Sequence, residues 1–201
     1  MFNSLSQLPM GCYRILEYLA LSPKAENLWK MLKYNDYNAL SKDNLSFAEK
    51  MNLVWKTGKQ EQYSVFFTNQ IDDGIAEAKC LLKIYTYMIQ PENLYTSSVL
   101  YSFDWLYGME MALVDFNGIP VSRADLFVNI ILDTLNGATI GGVGKMAMDE
   151  NLSRYIGGQS VIGNSKTFTG AVLRLATLMG DSGTEQSCER ISPLTSLFHT
   201  N

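Results

Sequence analysis

Apolar residues at helical spacing dominate the first part of the chain. Ile15, Leu16 and Leu19, then Leu28, Met31 and Leu32, each mark one face of a period near 3.6 residues. Ser22-Pro23 interrupts them; Ser caps a helix and Pro is tolerated in its first turn, so two short helices are expected within 12–34. The second runs into Asn35-Asp36, a turn in which short polar side chains bond the backbone. Ser46-Phe47-Ala48-Glu49 has the form of a capping box, with Phe47, Met51, Val54 and Trp55 at i, i+4, i+7 and i+8. A third short helix follows, stopped at 57–59, and a β-prone run at 63–67 leads into the polar turn 69–74.

Past residue 80 the pattern changes to branched and aromatic runs. Residues 81–89 and 99–106, separated by Gln90-Pro91-Glu92-Asn93, read as adjacent antiparallel strands. Val99, Tyr101, Phe103 and Trp105 alternate with Leu100, Ser102 and Asp104, so one face carries the large rings and should meet helices. Ser122 caps a helix over 123–135 that Asn136-Gly137 ends. That helix is apolar on more than one side, so it lies between the sheet and the N-terminal helices or turns part of itself to another subunit. Two more strands are expected at 145–148 and 168–178, joined by a Gly- and Ser-rich region. The sum is an α+β fold: a mostly antiparallel sheet flanked by helices, with short N-terminal helices, one domain over 1–179 and an extended C-terminal arm over 180–201.

Composition agrees with a folded core: 47% of residues are hydrophobic and 18% charged over 201 positions. The formal charge is −4, from 16 basic and 20 acidic residues, and no basic run appears, so a broad DNA-gripping face is not expected. Cys12, Cys80 and Cys188 are widely spaced and odd in number, which fits free thiols in a reducing compartment. The first residues lack the pattern of a secretory signal, and no apolar stretch approaches the ~20 residues of a membrane span, so a soluble protein made in a cytoplasm is expected.

Catalytic chemistry finds few candidates. The one histidine, His199, is two residues from the C-terminus, and no C-x-x-C occurs, so neither a His-based mechanism nor a metal or other cofactor is expected. Gly141-Gly142-Val143-Gly144-Lys145 suggests a phosphate loop, but Thr139 and Met146 occupy positions that pattern reserves for Gly and Ser/Thr, and a helix precedes it. A tight turn into a strand is the better reading. Asp72-Asp73-Gly74 is a solvated turn rather than a spaced carboxylate pair. Tyr85, Tyr87, Tyr101, Phe103 and Trp105 form a stacking platform for single strands only if exposed; with Lys83 as their sole basic neighbour, core packing is favoured.

Several motifs together resemble the neck proteins of tailed bacteriophages. Ser102-Phe103-Asp104 on a strand, Arg123 at a helix start, Leu135-Asn136-Gly137 closing that helix and Gly142-Val143-Gly144-Lys145 entering a strand occur in that family's order. Residues 28–40 resemble its N-terminal motif, and residues 164–175 its closing strand. The resemblance implies a head-to-tail connector with a tail-terminator-like fold, of a type also found in crAss-like phages. It implies a structural virion protein of the neck, made in the host cytoplasm: a homo-oligomeric ring between portal and tail proteins, through which genomic DNA passes without being read. Phe127 and Ile131 on the apolar helix, and Leu194, Leu197 and Phe198 on the arm, are then the candidate subunit-interface residues. Two alternatives stand beside this: a phage-encoded enzyme of unrecognised type, and a monomeric adaptor binding through the aromatic sheet face.

Overall fold

The computed structural model describes residues 7–71, 75, 79–92, 96–148, 159–160 and 168–180. In chain order the main elements are α1 (Leu8–Leu21), α2 (Glu26–Lys33), α3 (Phe47–Asn52), β1 (Val65–Phe66), β2 (Leu81–Pro91) and β3 (Thr96–Gly108). There follow β4 (Leu113–Phe116), β5 (Ile119–Ser122), α4 (Arg123–Leu135), β6 (Thr139–Ile140), β7 (Gly144–Lys145), β8 (Gln159–Ser160) and β9 (Phe168–Gly180). The expected α+β architecture is present.

The principal sheet runs β1-β2-β3-β9-β8, antiparallel throughout except for β1 beside β2. Its rigid centre is β3, paired over its whole length with β9 and nearly as far with β2. Alternation places Val99, Tyr101, Phe103 and Trp105 on the inner face, all fully buried against α1, α2 and α4 in one core. The aromatic face therefore meets helices as its pattern implied, and it offers neither a stacking platform nor an adaptor surface. Burying each such side chain contributes roughly 1.5–3 kcal/mol, which is why the alternation dictates the layer order.

Close approach explains one glycine. A Cβ at Gly11 would overlap the Tyr101 hydroxyl, so α1 can lie flat on the ring only if it has no side chain there. Further on, Gly142 and Gly144 have positive φ and carry the tight turn from β6 into β7, over which Arg14 donates to the Gly141 carbonyl at 2.8 Å. The glycine cluster is thus a turn between paired strands. The expected strand at 145–148 is shorter, reduced to β7 and an isolated bridge between Ala147 and Ala176.

The N-terminal helices meet through a buried ion pair. Lys50 Nζ lies 2.6 Å from Glu26 Oε2 and also donates to the Ala20 carbonyl at the end of α1, while the other Glu26 oxygen accepts from the Leu45 amide. This reverses part of the expected α3 stripe: Lys50 points inward and Phe47 is exposed. The capping box itself forms, with Ser46 and Glu49 bonding each other's backbone amides. Asn117 and Gly118, both with positive φ, turn β4 into β5, a hairpin not expected from the apolar pattern although Asn-Gly between apolar residues is its usual signal.

Candidate functional site

The motif residues gather into two buried polar constellations. Arg123 opens α4 behind the Ser122 cap, which accepts from the Asp125 amide, and its side chain is fully buried. Nη2 donates to the carbonyls of Asn35 (2.9 Å) and Asp36 (2.6 Å); Nη1 donates to those of Tyr34 (3.2 Å) and Met31 (3.4 Å). Met31 lies in the last turn of α2 and Tyr34 caps it, Asn35 and Asp36 follow in the turn beyond, and the negative end of that helix's dipole faces the cation. Nε reaches the Leu113 carbonyl, and Nη1 also reaches Cys80 Sγ at 3.4 Å. Arg123 therefore ties α2, the approach to β2, β4 and α4 into one joint. Burial pushes the Cys80 thiol up to about 11, against the lowering influence of Arg123, and burial likewise pushes Cys12 up to about 11, so neither thiol is an activated nucleophile.

The second constellation lies on the outer face of the sheet. Register sets Lys83 opposite Asp104, and Tyr85 opposite Ser102, which in turn faces Arg174. Asp104 accepts from Ser102 Oγ (2.7 Å) and the Tyr85 hydroxyl (3.0 Å), and pairs with Lys83 Nζ at 3.2 Å. Lys83 and Asp104 are both buried, so the pair is desolvated and closed. Burial raises the Tyr85 phenol above its ordinary value. A hydroxyl hydrogen-bonded to a carboxylate resembles half of a nucleophile-and-base arrangement, but Ser102 is fully buried and Asp104 already holds three donors. What the cluster does physically is pin register: a slip of one residue would turn Lys83 and Asp104 into the apolar core. Beside it, the Arg174 guanidinium stacks on the Tyr87 ring at 4.1 Å.

The interface candidates divide. Phe127 and Ile131 are fully buried within the chain itself, Phe127 stacked on Trp105 at 5.1 Å between centroids, because α4 lies between the sheet and α2. They are core residues, and the first of the two readings of that helix holds. Leu194, Leu197 and Phe198, together with His199, Cys188 and Asp72-Asp73-Gly74, lie outside the described residues. Exposed apolar side chains stand instead at Met109, Leu113, Phe116 and Ile119, and at Tyr87, Met88, Ile89 and Leu178. Among the described residues no group of three His, Cys, Asp or Glu side chains could hold a metal, and no helix is long and apolar enough to cross a membrane.

In comparison with known proteins, a family model described as YomW matches residues 25–177, from just before α2 to near the end of β9. No curated protein matches the chain, and no solved structure does.

Proposed function

The chain belongs to the YomW family, a name typical of Bacillus phage-region proteins that hints at a phage origin, and from that premise we propose that it is a structural protein of the virion neck. On this reading it forms a ring that joins the portal and head to the tail and lines the DNA passage. The observation that carries it is how the charged groups are used: Arg123, Lys50–Glu26 and Lys83–Asp104 are all closed internally, while large apolar side chains remain on the surface. Such a chain invests its polar chemistry in rigidity and leaves its exterior suited to contact with protein. An acidic balance of −4 also suits a passage for a polyanion, since like-charged walls do not retain it.

The partners are then further copies of the chain, the portal and other neck and tail proteins, with DNA sliding past unread and no cofactor or membrane involved. A catalytic role finds little support in the geometry, because the Ser102–Asp104 pair is sealed from any substrate. Quantitative mass spectrometry of purified phage particles tests the proposal. A fixed copy number equal to a ring's symmetry is expected, and absence from the particle, or one copy per particle, overturns it.

A further inference from the structure

We propose that residues 195–200 add a strand to the open edge of the principal sheet, antiparallel to β2, and so keep that edge from pairing with another chain; this stands apart from the ring reading above. Among the described residues β1 pairs with β2 only at Leu82 and Lys83, and no other strand continues that edge. On its other side β2 stays paired with β3 as far as Pro91. Thr86-Tyr87-Met88-Ile89-Gln90-Pro91 carries no charge, although an edge left to solvent is ordinarily protected by one, and Tyr87 to Pro91 are exposed. The Leu82 amide donates across the edge to the Ser64 carbonyl at 2.8 Å, so residues in phase with it turn their backbone groups outward. Leu82 faces Trp105 and Ile89 faces Val99, an even number of positions apart on β3, so past the register shift at Tyr87 the outward phase falls on Ile89. The edge thus presents the Ile89 amide and carbonyl, with Met88, opposite Leu100, on the outer face of the sheet and Ile89 on the inner face.

The place where β9 ends identifies the occupant. Gly180 pairs with Thr96, and Ser97 pairs with both Met179 and Pro91, so the last residue of β9 and the end of β2 lie at one margin of the sheet. Both strands are antiparallel to β3, so a chain that leaves Gly180 and turns back runs antiparallel to β2. Residues 181–201 lie outside the described residues. Reaching the far side of β2 means crossing three inter-strand spacings, about 14 Å, and residues 181–194 extend to about 46 Å, which leaves length for the turn. Thr195-Ser196-Leu197-Phe198-His199-Thr200 is a β-prone run without Gly, Lys, Arg, Asp or Glu, and Pro193 stands ahead of it, where the ladder needs no donor. Leu197-Phe198 is an adjacent apolar pair, as Met88-Ile89 is, and in a strand each such pair turns one side chain to each face. Setting Phe198 opposite Met88 and Leu197 opposite Ile89 brings Ser196 beside Gln90 and Thr195 beside Pro91. The tether gives the chain's own segment an effective concentration on the order of mM, above that of a free strand. The rival occupants are the same segment of another copy and the β2 edge of another copy.

Hydrogen exchange tests the strand. The Ile89 amide is expected to exchange roughly tenfold more slowly in the full chain than in one ending at residue 182, with the amides of β3 unchanged. Leu197→Pro, which removes the donor facing the Ile89 carbonyl without shortening the chain, should match the truncation. Equal exchange at Ile89 in the full and truncated chains overturns the proposal. Cross-linking then fixes register and source. Met88→Cys with Phe198→Cys, in a Cys188→Ser background, should give a disulfide within one chain on oxidation, while Met88→Cys with Leu197→Cys, on opposite faces, should give none. A disulfide between chains from the first pair assigns the edge to another copy's segment and overturns the proposal, as does equal bridging by both pairs or none by either. With its edge uncovered, the chain ending at residue 182 should self-associate more strongly in sedimentation than the full chain; unchanged association overturns the capping role.

Discussion

Arg123 shows how a single charged side chain can be buried without a carboxylate. Its planar fork distributes the charge over carbonyl oxygens at the end of α2 and in the turn that follows it, so cation and carbonyls satisfy each other. Hydrogen bonds to a charged group are worth about 1.5–3 kcal/mol each, and removing the cation strands several buried acceptors together. Arg123→Met is therefore expected to destabilise the fold by about 3–5 kcal/mol, the range for breaking a buried charged network. Arg123→Lys should recover only a minor part of this, because a point ammonium cannot span carbonyls arranged around a fork. Urea unfolding of the three proteins measures both; an unchanged midpoint in either variant contradicts the account.

At the level of elements, α3 is a six-residue helix whose start depends on one carboxylate. The Lys33 ammonium at 2.7 Å, aided by the Ser46 amide and hydroxyl, holds the Glu49 carboxyl down at about 2. Since this lies below the unfolded value near 4.5, the folded state is favoured by ionised Glu49 above that value, and the contribution fades as pH falls from there towards about 2. Both partners reach solvent, so the effect is local and screened by salt. Amide exchange in α3 should accelerate on acidification through this window while α4 stays protected. Lys33→Ala should move the Glu49 titration, followed by NMR, upward; a Glu49 carboxyl titrating at its ordinary value in the native chain would refute the assignment.

Over the whole molecule, β9 is the strand that closes the architecture. It pairs with β3 along its full length and supplies Leu173 and Leu175 to the core, although 59 residues lie between the two strands in the chain. A chain ending at residue 182 keeps every one of these contacts and is expected to melt within a few degrees of the full chain. One ending at residue 165 leaves one hydrogen-bonding edge of β3 unpaired along its whole length and should not fold cooperatively. Calorimetry of both truncations decides this, and a cooperative transition in the shorter one would show that β9 is dispensable.

Local signals in the amino-acid order determined much of this molecule: the helical stripes of α1, α2 and α4, the Ser46–Glu49 box, the Ser122 cap, and the alternation that turned the rings of β3 inward. Each rests on residues within a few positions of one another, where periodicity and capping chemistry act without the rest of the chain. The Asn117-Gly118 hairpin was equally local and readable from that dipeptide. Contacts between distant segments were decided by tertiary structure. Lys50 entered the interior because Glu26 and the Ala20 carbonyl waited there, and Phe47, on the same short helix, was left outside. Phe127 and Ile131 went to the core because α4 found partners on both sides within its own chain. Lys83 and Asp104 became a closed pair only when β2 and β3 took their register, and Arg123 became a joint only when α2 ended against it. Burial of a charge depends on where its partners arrive in space, and that information lies in no single stretch of sequence.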